Sequence, residues 1–219
     1  MYICVKLFKR FMISPVEITA PVQQLIDRIG SPFVHEIIPV QPTAGAKKGE
    51  SVANVGQKTG GSLVTGWAVW LDKFICEAVP HAVWEDENGD LVDVTPPRVA
   101  VKELLFVPDD RVLTGAIRVS TTDNPLADHL ITLADMREYV AGFATRVNED
   151  EINFNTYTGN VYNHYDALFN NLQIFLANGG KIGAPCYCGS LKPYSKCHGK
   201  NLKAAMEEDK KAVAKVNAD

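Results

Sequence analysis

Residues Glu77 to Pro97 read EAVPHAVWEDENGDLVDVTPP, and the fold turns on this stretch. Its valines and tryptophan suit a pleated, half-buried surface. Asn88-Gly89 supplies the left-handed backbone of a tight hairpin, and Pro96-Pro97 ends the returning strand. His81 then lies mid-strand and Asp93 on the next strand. Antiparallel pairing sets two such residues side by side on one face, where a carboxylate can orient an imidazole. In a strand so rich in valine and tryptophan, His81 reads equally well as a packed core residue.

Working outward, Ser62 to Thr95 is β throughout. SLVTGWAVWLD and FICEAVPHAVWED are strand-length runs parted by a corner at Lys73. Trp67, Trp70 and Trp84 read as core. VKELLFVPDD, RVLTGAIRVS and Val34 to Val40 are further strand candidates, and Asp109, Asp110 and Arg111 read as a turn. Upstream, Pro21 opens a helix with Val22, Leu25, Ile26 and Ile29 on one face, closed by Gly30. Ser51 begins one or two helical turns that end by Gly60-Gly61. A helix N-terminus favours the anionic form of a nucleophile. Residues 1–15 read as a strand or an added arm.

Beyond Asn124-Pro125 the character is helical. Leu126, Leu130, Leu133, Tyr139, Val140 and Phe143 predict an amphipathic helix to about residue 147. EDEINFNTYTGN reads as a polar loop, and a second helix carries Val161, Tyr165, Leu168, Phe169, Leu172, Phe175 and Leu176 up to Gly179-Gly180. Leu202 to Val216 is a charged helix in which Glu207 can pair with Lys211. The expected architecture is α+β, an antiparallel sheet with packed helices. The expected division is a body over 1–180, a small element over 181–200 and a tail helix over 201–219.

That small element carries the densest chemistry. PCYCGSLKPYSKCHGK, Pro185 to Lys200, gathers Cys186, Cys188, Cys197 and His198 with glycines and a proline that turn the chain back. A Cys-x-Cys pair facing an adjacent Cys-His pair can supply the four ligands of a tetrahedral zinc ion. Metal binding would then be most of the folding energy of so short a unit. A disulfide or a reactive thiol cluster would not need His198. Cys4 and Cys76 remain as a far-separated pair. Cys76 lies an odd number of residues from His81 on one strand, so alternation aims the two at opposite faces. His35, His129 and His164 have no metal-spaced partners.

The 219 residues are 46% hydrophobic and carry a formal charge of -4, which excludes a general polyanion binder. The region Lys181 to Met206 differs locally: it holds Lys181, Lys192, Lys196, Lys200 and Lys203 and no acidic residue. With Tyr187 and Tyr194 interleaved, this surface suits RNA, a ribosome or an acidic protein. Lys6, Lys9 and Arg10 interrupt the apolar N-terminus, so no signal peptide or membrane span is expected. Free thiols and a thiolate site suit a reducing cytoplasm.

Two resemblances follow from these residues. Cys186-x-Cys188-Gly189-Ser190, then Lys192, Tyr194 and the Cys197-His198-Gly199 ending, resemble the SEC-C motif, a zinc-binding tail known from the bacterial secretion ATPase and from many otherwise unrelated proteins. The resemblance implies structural zinc, no organic cofactor, and a tail that docks to a partner rather than catalysing a reaction. The second lies in the body, across roughly residues 34 to 97. There the order Ser51, His81, Asp93 is similar to the transglutaminase-like branch of the papain-like fold. His81-Ala82-Val83-Trp84 and Leu91-Val92-Asp93-Val94-Thr95-Pro96 look like that family's His and Asp strands. The family's nucleophile is a cysteine and this chain has Ser51, which implies the fold with altered thiol chemistry. The alternative is a hydrolase or acyl-transferase with Ser51 as nucleophile, His81 as base and Asp93 orienting it.

Overall fold

The computed structural model describes residues 2–6, 12–148 and 151–218. The fold is α+β with antiparallel sheets and five α-helices among those residues. Two compact units make up the chain: Lys9–Thr121, and a discontinuous unit of Met1–Phe8 with Thr122–Asp219. Residues 181–218 thus share a unit with the helices that precede them, whereas the sequence reading drew its boundary at residue 180. Residues 7–11 of the expected N-terminal arm lie outside the described residues.

In the unit Lys9–Thr121 the central event is the pairing of β3 (Ser62–Leu71) with β4 (Ile75–Glu85), in register from Ser62↔Glu85 to Leu71↔Cys76. Asp72 makes the corner, its Oδ1 accepting the backbone N–H groups of Phe74 and Ile75 at 2.8 and 2.7 Å. β6 (Glu103–Pro108) joins the far side of β3, and β2 (Glu36–Pro39) joins β6. Gly66 sits where β3 meets β6. A Cβ there would run into Val107 O and the Phe106 ring, so only glycine allows that approach.

The free side of β4 is shared. β7 (Ile117–Ser120) takes Ile75 to Ala78, and β5 (Leu91–Val92) takes Trp84 and Glu85. Residues 79–83 therefore have no strand on that side. RVLTGAIRVS becomes a strand only from Ile117.

Period-two alternation splits the core. Trp67, Val69, Cys76, Ala78, Leu105 and Val107 meet Val22, Leu25 and Ile29 of α1 (Ala20–Ile29) on one face. Ala68, Trp70, Val83, Leu104 and Phe106 form the other with Ile38 and Leu91. Asp109 is no mere turn residue. It is buried, accepts the Trp67 indole N–H at 2.9 Å, and is gripped by Arg111 at 2.8 and 2.6 Å.

In the other unit, α3 (Leu126–Ala141) packs against α4 (Thr156–Ala177), and Leu130, Leu133 and Met136 of the first and Tyr162, Phe169 and Leu172 of the second are buried. The stretch read as a polar loop differs. Glu151–Asn155 is a strand, here β9, paired on one side with β1 (Tyr2–Lys6) and on the other with β8 (Thr145–Arg146). Ile152 and Phe154 point inward while Asn and Glu face out, an alternation masked by the polar composition. Asn155 then caps α4, its Oδ1 accepting the Thr158 N–H at 2.9 Å, so the helix starts before Val161. α5 (Leu202–Val216) buries Leu202, Met206 and Val213, and Asp209 accepts the Tyr165 hydroxyl at 2.6 Å. Glu207 pairs with Lys210 at 2.9 Å rather than with Lys211.

Asp109 gives the Lys9–Thr121 unit an acid-sensitive joint. Hydrogen bonds from Arg111 hold its carboxyl well below the usual carboxylate range. A lowered folded-state value stabilises above the ordinary Asp pKa of about 3.9, and this contribution fades as pH falls through and below it. Asp109→Ala also strands the Trp67 N–H, and a loss of about 2 kcal/mol is expected in urea unfolding at pH 7. The difference from the parent protein should shrink toward pH 3.

Candidate metal centre

Cys186 and Cys188 sit on the first arm of a turn that closes on itself. Cys186 N–H donates to Lys192 O at 2.8 Å, Gly189 N–H to Cys186 O at 3.2 Å, and Tyr194 N–H to Ala184 O at 2.9 Å. Gly189, with φ +77°, makes the reversal. A single 3₁₀ turn, Tyr194–Lys196, then delivers Cys197 and His198, with Cys197 and Gly199 N–H both donating to Tyr194 O.

The result is convergent. The ligand atoms of Cys186, Cys188, Cys197 and His198 all lie within 4.8 Å of one another, and this group can hold a metal ion. Cys186 Sγ is 3.1 Å and Cys197 Sγ 3.6 Å from His198 Nδ1, and the Cys188 and Cys197 sulfurs are 3.6 Å apart. Metal bonds of about 2.0–2.3 Å give a tetrahedron with edges of about 3.4–3.8 Å. The two 3.6 Å separations match such edges and the 3.1 Å one is a little shorter, and three thiols with an imidazole are a donor set that suits zinc.

The surroundings tune and orient the ligands. Hydrogen bonds from the Ser190 hydroxyl and backbone N–H draw the Cys188 thiol down to about 7, while burial pushes Cys186 up. The Tyr187 ring lies over His198, centroids 4.8 Å apart. Tyr194 is 1% exposed, stacks on Phe175 of α4 and faces His129 of α3 with a 5.6 Å ring separation. The metal turn is therefore seated on its helices by aromatic contact. Phe175, Tyr194 and His129 escape a search for metal spacing because their part is packing. The helical spacing of apolar residues on α4 is the signal that marks Phe175.

Of the residues singled out in the body, His81 and Asp93 meet, and Ser51 lies against the backbone next to His81. Ser51 opens α2 (Ser51–Val55), and its Oγ accepts the Ala82 N–H at 3.1 Å, in the part of the β4 edge that lacks a strand partner. His81 Nε2 lies 3.0 Å from Asp93 Oδ1, with side chains 15% and 4% exposed. That contact is bent away from the ring N–H direction, and Nε2 makes no well-aligned hydrogen bond. No hydrogen bond joins His81 to Ser51 among the described residues. Cys76 is buried in the α1-side core, and burial pushes its thiol up to about 12. The residues that sequence reading passed over are Asn54 and Thr95, both buried beside this group.

No family model, no characterised protein and no solved structure matches the chain. No helix among the described residues is long and apolar enough to cross a membrane.

Because Tyr194 is packed into the helical unit, metal removal should reach beyond the turn. Chelation of the metal-loaded protein should change the near-UV circular dichroism of its tyrosines and lower the melting temperature of the unit. Cys186→Ser should reproduce both and bring bound metal from one ion per chain to none. A spectrum indifferent to chelation would show that the turn holds its shape alone.

Proposed function

We propose that this is a zinc-binding protein whose C-terminal element, of the kind the SEC-C motif exemplifies, docks the chain to a protein or ribonucleoprotein partner. The observation that carries the reading is the convergence of Cys186, Cys188, Cys197 and His198 within 4.8 Å. Four protein ligands close the tetrahedron and leave no position for a substrate water, so the bound ion supplies structure. Lys181, Lys192, Lys196, Lys200 and Lys203 are all exposed around it, and none is ion-paired to a described acidic residue. They offer a cationic rim to an anionic surface. Purified ribosomes are the probe. Binding should weaken steeply between about 50 and 200 mM salt and be lost when the five lysines are changed to Glu. Binding indifferent to both changes sinks the ribonucleoprotein reading.

A second reading concerns the body, and the His81–Asp93 pair at 3.0 Å with Ser51 on the neighbouring backbone N–H favours it. In this reading the body is of transglutaminase-like, papain-like descent and acts as a hydrolase or acyl-transferase. Ser51 Oγ attacks a carbonyl, His81 takes its proton at Nδ1, and Asp93 holds the imidazolium. A fluorophosphonate should label Ser51 in the parent protein. His81→Ala should abolish labelling without a shift in melting temperature, and an unlabelled folded parent protein removes the reading.

A further inference from the structure

Asn54 stands one helical turn after Ser51 and is buried to 1% exposure. Its amide satisfies three groups at once. Oδ1 accepts the Lys47 N–H at 2.9 Å, and Nδ2 donates to Lys47 O at 2.8 Å and to Thr95 Oγ1 at 3.1 Å. Thr95 in turn donates its backbone N–H to Asp93 Oδ1 at 2.9 Å, the same oxygen that lies against His81 Nε2. The backbone of Asp93 is pinned as well, its N–H donating to Pro39 O at 3.0 Å and its C=O accepting from Gln41 at 2.8 Å.

A route of hydrogen bonds, buried from Asn54 onward and passing through Thr95, thus runs from the loop before α2, through α2 itself, to the carboxylate that faces the imidazole. Val55, Ala82 and Val94 already make the apolar contact between α2 and the sheet. What the polar route adds is a fixed direction: it sets the rotation of α2, hence the position of Ser51, and the rotamer of Asp93.

We infer that Asn54 and Thr95 are positioning residues, which hold residue 51 and Asp93 in register with His81. This rests on the second reading above. Thr95 fixes the carboxylate, Asn54 fixes Thr95 and the start of the helix, and His81 from β4 and Asp93 from the segment after β5 are the titratable groups of the arrangement.

The test uses the full chain with Ser51→Cys, in which a thiol reports its own surroundings. Alkylation of that cysteine by iodoacetamide is followed against pH by mass spectrometry of the peptide containing residue 51, which separates it from the five native thiols. With the arrangement intact, the thiol should titrate well below the ordinary value of about 8.5. Adding Thr95→Val should raise its apparent pKa by about one unit, whereas Thr95→Ser, which keeps the hydroxyl, should leave it in place. Asn54→Ala should act as Thr95→Val does. Superimposable profiles for Thr95→Val and its parent, or an equal rise with Thr95→Ser, overturn the inference. An ordinary thiol profile in the Ser51→Cys parent instead overturns the catalytic reading on which it rests.

Discussion

The ten-residue antiparallel pairing of β3 with β4 constrains everything else in the Lys9–Thr121 unit. Side-chain period two means that this one register assigns every residue of both strands to a face. It sends Trp67, Val69, Cys76 and Ala78 toward α1 and Ala68, Trp70 and Val83 to the opposite side. It also fixes where β4 can accept further partners. β7 and β5 occupy the two ends of its free edge, and the interval between them receives a helix start instead of a strand. A break in the pairing of one strand edge is thus the reason that Ser51, His81 and Asp93 come near one another at all.

The metal centre depends on a different kind of constraint. Sixteen or so residues cannot bury enough apolar surface to order themselves, so short turns of this kind need a metal, a disulfide or a host. Here a host is in place and the ligands for a metal stand ready: three thiols and an imidazole converge at one end of the turn, and Tyr194 anchors the other end between Phe175 and His129. The turn also contains Leu191 at φ +60°, 85% exposed, where a leucine side chain gains no packing and the backbone is strained.

Much of this was legible in the sequence, and for physical reasons. The hairpin at Asn88-Gly89, the helix opened by Pro21 and closed by Gly30, and the Cys and His spacing are local signals, each written within a few residues. β9 was not legible. Its inward Ile152 and Phe154 are diluted by Asn and Glu, and its partner β1 lies far away in sequence, so no local propensity announces it. Asp109 reads in the sequence only as part of a turn for a similar reason: its partner Trp67 reveals itself only when β3 and β6 are side by side. Asn54 carries no chemistry of its own to search for. The α+β class with antiparallel sheets was legible from strand and helix periodicity, but the grouping of 181–218 with α3 and α4 depends on aromatic contacts that composition does not show.

The pairing of β1 with β9 has a consequence for the chain as it is made. Residues 2–6 leave the ribosome long before their partner strand at 151–155 exists. At about 5–20 residues per second, that interval lasts on the order of 10–30 s. All of Lys9–Thr121 emerges within it and can complete its own sheet while the first strand waits with both edges unpaired. The helical unit closes only when the segments after Thr121 arrive, so its assembly joins stretches made far apart in time. An early stop in translation would leave a finished sheet attached to a bare strand edge, the kind of exposed template that quality-control chaperones and other nascent chains recognise.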